Sequence, residues 1–236
     1  MQTILDKTRA QLKKLADPKI KKSTQHFFKE QVKAYGLKTP LVTQIARENF
    51  KFLKQESKKS IWQLCESLWQ SGYLEESFIA CSWSYALRKQ YLPEDFQIFE
   101  KWVGQYINNW ASCDTFCNHT IGTFVSMYPE FLANLKTWAK SPNRWQRRAA
   151  AVSLIVPGKR GLFLEDILAL AEILLRDPDD MVQKGYGWLL KVTSQAHQHE
   201  VYQFVLKHKD VMPRTALRYA IEKLPATMKQ KAMERE

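Results

Sequence analysis

The chain has 236 residues, of which 45% are hydrophobic and 12% aromatic, with only eight glycines and nine prolines; this excludes a disordered or fibrous chain and leaves ample apolar mass for a core. Thirty-six lysines and arginines against 24 acids give a formal charge of +12, a long-range field that favours a polyanion, either nucleic acid or an anionic membrane surface. No apolar run reaches the ~18 residues of a spanning helix, the opening MQTILDKTRAQLKKLADPK lacks a signal-peptide core, and the four cysteines suggest no disulfide framework, so the expectation is a cytoplasmic protein.

Helical periodicity runs along the chain, and alternating β-type patterning is hard to find. Leu5, Leu12 and Leu15 mark a first apolar stripe. Ile61, Leu64, Cys65 and Leu68 follow at the spacing of a buried helix face, and Ile167, Leu168, Ala171, Leu174 and Leu175 form a third stripe. Start signals punctuate these segments: Asp17-Pro18, Thr39-Pro40, Pro93-Glu94, Ser141-Pro142, Asp177-Pro178-Asp179-Asp180 and Met212-Pro213. Proline is tolerated in a first helical turn because its missing N–H has no intrahelical partner there. Two helices between such breaks make a unit of roughly 35–45 residues, the period of HEAT and armadillo repeats. The predicted fold is therefore all-α, a HEAT-like or armadillo-type helical-repeat solenoid with a concave basic face, forming one domain over 1–236. A compact helical bundle is the alternative.

Three segments carry candidate chemistry. In Asn109-Trp110-Ala111-Ser112-Cys113-Asp114, the indole of Trp110 and the carboxylate of Asp114 fall one helical turn apart on one face. A carboxylate beside an aromatic ring is a receptor for a cation; the competing reading makes an asparagine a cap and Trp110 part of the core. From Lys136 to Arg160 there are seven basic residues and no acid. Here Arg144, Arg147 and Arg148 suit phosphate contact, or simply a solvated face. In the third segment Lys184, Trp188 and Lys191 share a helix side, and Gly185 and Gly187 imply close approach by either another helix or a ligand. Cys113, Asp114, Cys117 and His119 lack a second cysteine or histidine pair, so no metal site is expected. Nucleotide-binding and serine-hydrolase motifs are absent as well.

Taken together, Gly36-Leu37-Lys38-Thr39-Pro40, Trp110-x-x-x-Asp114, Arg148-Ala149-Ala150 and Gln183-Lys184 followed by Gly187-Trp188 resemble the AlkD-like DNA alkylation repair glycosylases over nearly the whole chain. The resemblance implies that Asp114 is the catalytic carboxylate and that Trp110 and Trp188 flank the lesion's deoxyribose. It further implies that Arg148 and Lys191 contact phosphate, that Phe27, Lys38 and Thr39 line the DNA groove, and that Gln183 and Lys184 belong to the DNA-binding set. The implied activity is release of N3- and N7-alkylated purines from double-stranded DNA by a monomer, without flipping the base and without any cofactor. The chain departs from the family at Asp180, an acid that would oppose phosphate unless it faces away. Two other readings remain: a non-catalytic solenoid binding damaged or branched DNA, and a protein-binding HEAT scaffold.

Overall fold

A computed structural model describes residues 2–234, which fold into helices with no strand among them. The backbone contacts divide the chain into two compact units, residues 1–116 and 117–236.

The first unit contains α1 (Gln2–Lys14), α2 (Pro18–Gln25), α3 (Thr39–Phe50), α4 (Lys58–Gln70), α5 (Leu74–Ala86), α6 (Asp95–Gln105) and α7 (Trp110–Phe116). Local chemistry sets their starts. Asp17 caps α2, its carboxylate accepting from the N–H groups of Lys19 and Ile20, with Pro18 in the first turn. Ser57 caps α4 through the Ser60 N–H, and Asn109 accepts from the Ser112 N–H at the start of α7. α5 is the central helix, packing against α3, α4 and α7. Around it Trp62, Trp69, Phe99, Trp102 and Phe116 meet largely edge-on at centroid separations of 5.6–6.3 Å, a geometry favoured by the ring quadrupoles. Two of the three indole N–H groups find acceptors at the margin, Trp62 Nε1 donating to Asp95 and Trp102 Nε1 to Glu66, while that of Trp69 is buried without a partner among the described residues. The stripe Ile61, Leu64, Cys65 and Leu68 is buried as expected, but Leu15 is exposed because α1 ends at Lys14 and the chain turns before it.

The second unit opens on a π-helical turn (Cys117–Ile121) and continues through α8 (Gly122–Met127), α9 (Leu132–Trp138), α10 (Arg144–Val152), α11 (Ile155–Lys159), α12 (Leu164–Ile173), α13 (Asp180–Thr193), α14 (Gln198–His208), α15 (Arg214–Ala220) and α16 (Ala226–Met233). Here α13 is central, packed between α10 and α15. Small residues make this possible. Ala149, Ala150 and Ala151 are fully buried on α10, and a Cβ at Gly187 would lie 2.7 Å from the Tyr219 Cβ and 2.8 Å from the Ala216 carbonyl of α15. Gly187 therefore admits α15 against α13. Among the described residues no helix is long and apolar enough to cross a membrane.

Candidate active site

Trp110 and Asp114 stand one turn apart on α7, and both line a cavity of about 690 Å³ in the first unit. Its walls come from α2 (Ile20, Ser23, Thr24), the segment after it (Phe27, Phe28), the approach to α3 (Leu37, Lys38, Thr39, Pro40) and α5 (Leu74, Glu75, Phe78). Five of the residues singled out from the sequence, Phe27, Lys38, Thr39, Trp110 and Asp114, thus meet in one place. The Trp110 indole is held on two sides: its ring stacks on Phe28 at 5.5 Å and 25°, and its Nε1 donates to the Phe27 carbonyl at 3.1 Å. Asp114 is neither sealed off nor fully exposed. Phe27 projects outward with 70% of its surface accessible, an aromatic lip on the cavity.

A buried acid braces this wall, and sequence spacing gave no hint of it. Glu75 is 3% exposed, and its carboxylate accepts three backbone N–H bonds, from Tyr35 (3.0 Å), Gly36 (2.7 Å) and Leu37 (3.1 Å). Gly36 is required twice over. Its φ is +98°, and a Cβ would lie 2.3 Å from the Asp17 carbonyl and 2.7 Å from the Lys21 N atom. Beside it Glu76, 1% exposed, accepts from the Tyr35 hydroxyl at 2.7 Å and pairs with Arg9 at 3.0 Å. Burial, reinforced by the bond to Glu76, pushes the Tyr35 hydroxyl far above the ordinary tyrosine range. These contacts fix the chain just before Lys38 and Thr39.

The remaining candidates lie in the second unit, on α10 and α13. Acids at and just before the start of α13 meet bases of both helices: Arg144 of α10 pairs with Asp179 at 3.0 Å, Arg147 of α10 with Asp177 at 2.6 Å, and Lys184 of α13 with Asp180 at 3.0 Å. Asp180 is thus turned toward a lysine of its own helix. Lys191 pairs with Glu222 at 2.9 Å and lies 5.5 Å from the ring centre of Tyr219. Gln183 donates to the Asp177 carbonyl at 2.8 Å. Arg148 is 5% exposed, and its guanidinium donates to the Met181 carbonyl. Trp188 is half-buried on α13.

The profile of the family described as DNA alkylation repair enzyme matches residues 8–224. The chain belongs to that family. It is therefore a member of a group of enzymes that repair alkylated DNA, and its all-α helical-repeat fold agrees with the sequence expectation. A solved structure described as a predicted DNA alkylation repair enzyme from Enterococcus faecalis superposes with a TM-score of 0.80 at 18% identity, covering 89% of this chain and 97% of that one. At that identity the likeness speaks for the fold. No curated protein matches the chain significantly.

Proposed function

We propose that this DNA alkylation repair family member is a glycosylase that hydrolyses the N-glycosidic bond of N3- and N7-alkylated, cationic purines in duplex DNA, without drawing the base into a pocket. The observation that carries this reading is the placement of the Asp114 carboxylate and the Trp110 indole in one aromatic-walled cavity with Phe27, Lys38 and Thr39. A purine already bearing positive charge is a good leaving group, and its departure builds oxocarbenium charge on the deoxyribose. A carboxylate near C1′ stabilises that charge and positions the attacking water. The indole of Trp110, its orientation set by Phe28 and the Phe27 carbonyl, adds the attraction of its ring face for a cation.

Arg144, Arg147, Arg148, Gln183, Lys184 and Lys191 are proposed to meet the DNA backbone, a role that requires each to share or exchange its present protein partner. Arg148 would have to release the Met181 carbonyl. The reaction needs no cofactor in this reading, and the protein acts as a cytoplasmic monomer on one duplex. The test is chromatography of bases freed from methylated duplex DNA. Asp114→Asn should lower release of N7-methylguanine by about 100-fold or more while duplex affinity stays within a few-fold. Release by Asp114→Asn at the wild-type rate overturns the assignment, and tight binding by wild type without any release favours a non-catalytic reader of damaged DNA.

A further inference from the structure

The bases singled out on α10 and α13 mostly hold acids of the protein itself: Arg144, Arg147, Lys184 and Lys191 are all in ion pairs. The cations of α2 are different. From Pro18 to Lys29 there are four lysines and no acid. Lys19, Lys21 and Lys22 are exposed, and none of the three has an ion-pair partner among the described residues. The adjacent acid, Asp17, is turned onto the helix N–H groups of Lys19 and Ile20 as their cap.

α2 buries no residue fully, yet it forms one wall of the Asp114 cavity through Ile20, Ser23 and Thr24. Successive residues of a helix are rotated by about 100°. With Ile20 facing the cavity, Lys19 falls just beyond Ser23 on one side of the lining arc and Lys21 just beyond Thr24 on the other, while Lys22 falls on the opposite side of the helix. The wall is tied down from several directions. The Asp17 N–H donates to the Gly36 carbonyl at 3.2 Å, Gln25 bonds Glu30 and Val32, and Trp110 bonds the Phe27 carbonyl.

We propose that Lys19 and Lys21 are phosphate-binding residues, gripping the DNA backbone on either side of the stretch presented to the Asp114 cavity. This rests on the reading that the cavity faces DNA. Two uncommitted ammonium groups flanking an apolar, aromatic cavity match the alternation of charge and base along a nucleic-acid strand. Each replaces condensed counterions when it meets a phosphate.

The experiment is titration of a labelled undamaged duplex by fluorescence anisotropy from about 50 to 200 mM salt, using wild type, K19Q/K21Q and the charge-matched control K22Q/K54Q. Lys54 is exposed in the same unit, beyond the far end of α3 from Thr39. Because all four substituted lysines are exposed, circular dichroism suffices to check folding. The slope of log affinity against log salt should become shallower by about 1.8 in K19Q/K21Q, about 0.9 for each phosphate left unneutralised, and should stay near wild type in K22Q/K54Q. Equal slopes and affinities in the two double variants overturn the proposal, as does absence of duplex binding by wild type. The glycosylase reading fails separately: if wild type frees no base from methylated DNA while K19Q/K21Q shows the expected slope, the phosphate grip stands and the catalytic assignment does not.

Discussion

At the scale of single residues, Glu75 shows how a buried side chain can decide whether a site exists. Its carboxylate gathers three N–H groups of the turn that leads into Lys38 and Thr39. Removing a buried acceptor leaves those donors without water or protein, and each orphaned donor costs about 1–3 kcal/mol. Glu75→Ala is expected to lower unfolding stability by on the order of 3–5 kcal/mol, read by urea denaturation. A loss under about 1 kcal/mol would show that the turn holds without its brace. The sequence made Trp110 and Asp114 visible because a separation of four residues is a helical signal in itself. Glu75 and the turn it holds are 38–40 residues apart, a separation that no periodicity reports.

At the scale of elements, α13 tests how glycine is used inside a helix. Glycine costs about 1 kcal/mol there relative to alanine, so replacing it should help wherever a methyl group fits. At Gly185 the nearest atoms to a Cβ are side-chain atoms of Arg148 at 3.4 and 3.5 Å, ordinary contact. At Gly187 they are the Tyr219 Cβ at 2.7 Å and the Ala216 carbonyl at 2.8 Å, atoms that cannot swing aside. Gly185→Ala should therefore raise stability by about 0.5–1 kcal/mol, whereas Gly187→Ala should lower it by about 2 kcal/mol. Thermal melts of the two variants give the comparison, and equal shifts would contradict the packing. Helix starts were legible wherever proline and a capping side chain coincide, as at Asp17-Pro18 and Asp179. Between Pro40 and Pro93, however, the chain holds α3, α4 and α5, separated by the Ser57 cap and the turn at Ser71-Gly72, which carry no proline. The Lys136–Arg160 stretch reads as unneutralised because its acids, Asp166, Asp177 and Asp179, arrive from 30 to 35 residues downstream of the bases they meet.

At the scale of the whole molecule, acid should destabilise the protein before its carboxylates titrate. His208 is 9% exposed; burial holds its imidazole below the ordinary histidine range, and Lys207 adds to this against a weaker opposing pull from Glu172. The unfolded chain takes up a proton near pH 6.5, the folded chain only at lower pH, so over that interval the unfolded state binds more protons. The stability due to His208 is thus fully present above about 6.5 and is lost as pH falls toward its depressed folded value. The melting temperature should hold steady from about pH 8 to 7 and then decline below about 6.5. His208→Gln should flatten the decline, and an unchanged pH profile in that variant would assign it elsewhere.

The four thiols acquire a meaning from the family to which the chain belongs. Cys65, Cys81, Cys113 and Cys117 are free and at most 3% exposed, and burial pushes the Cys65 and Cys81 thiols well above their usual range. Electrophiles that methylate purine nitrogens also attack sulfur, and they do so through the thiolate. A protein whose thiols are all buried out of reach can keep working in the same chemical that creates its substrate.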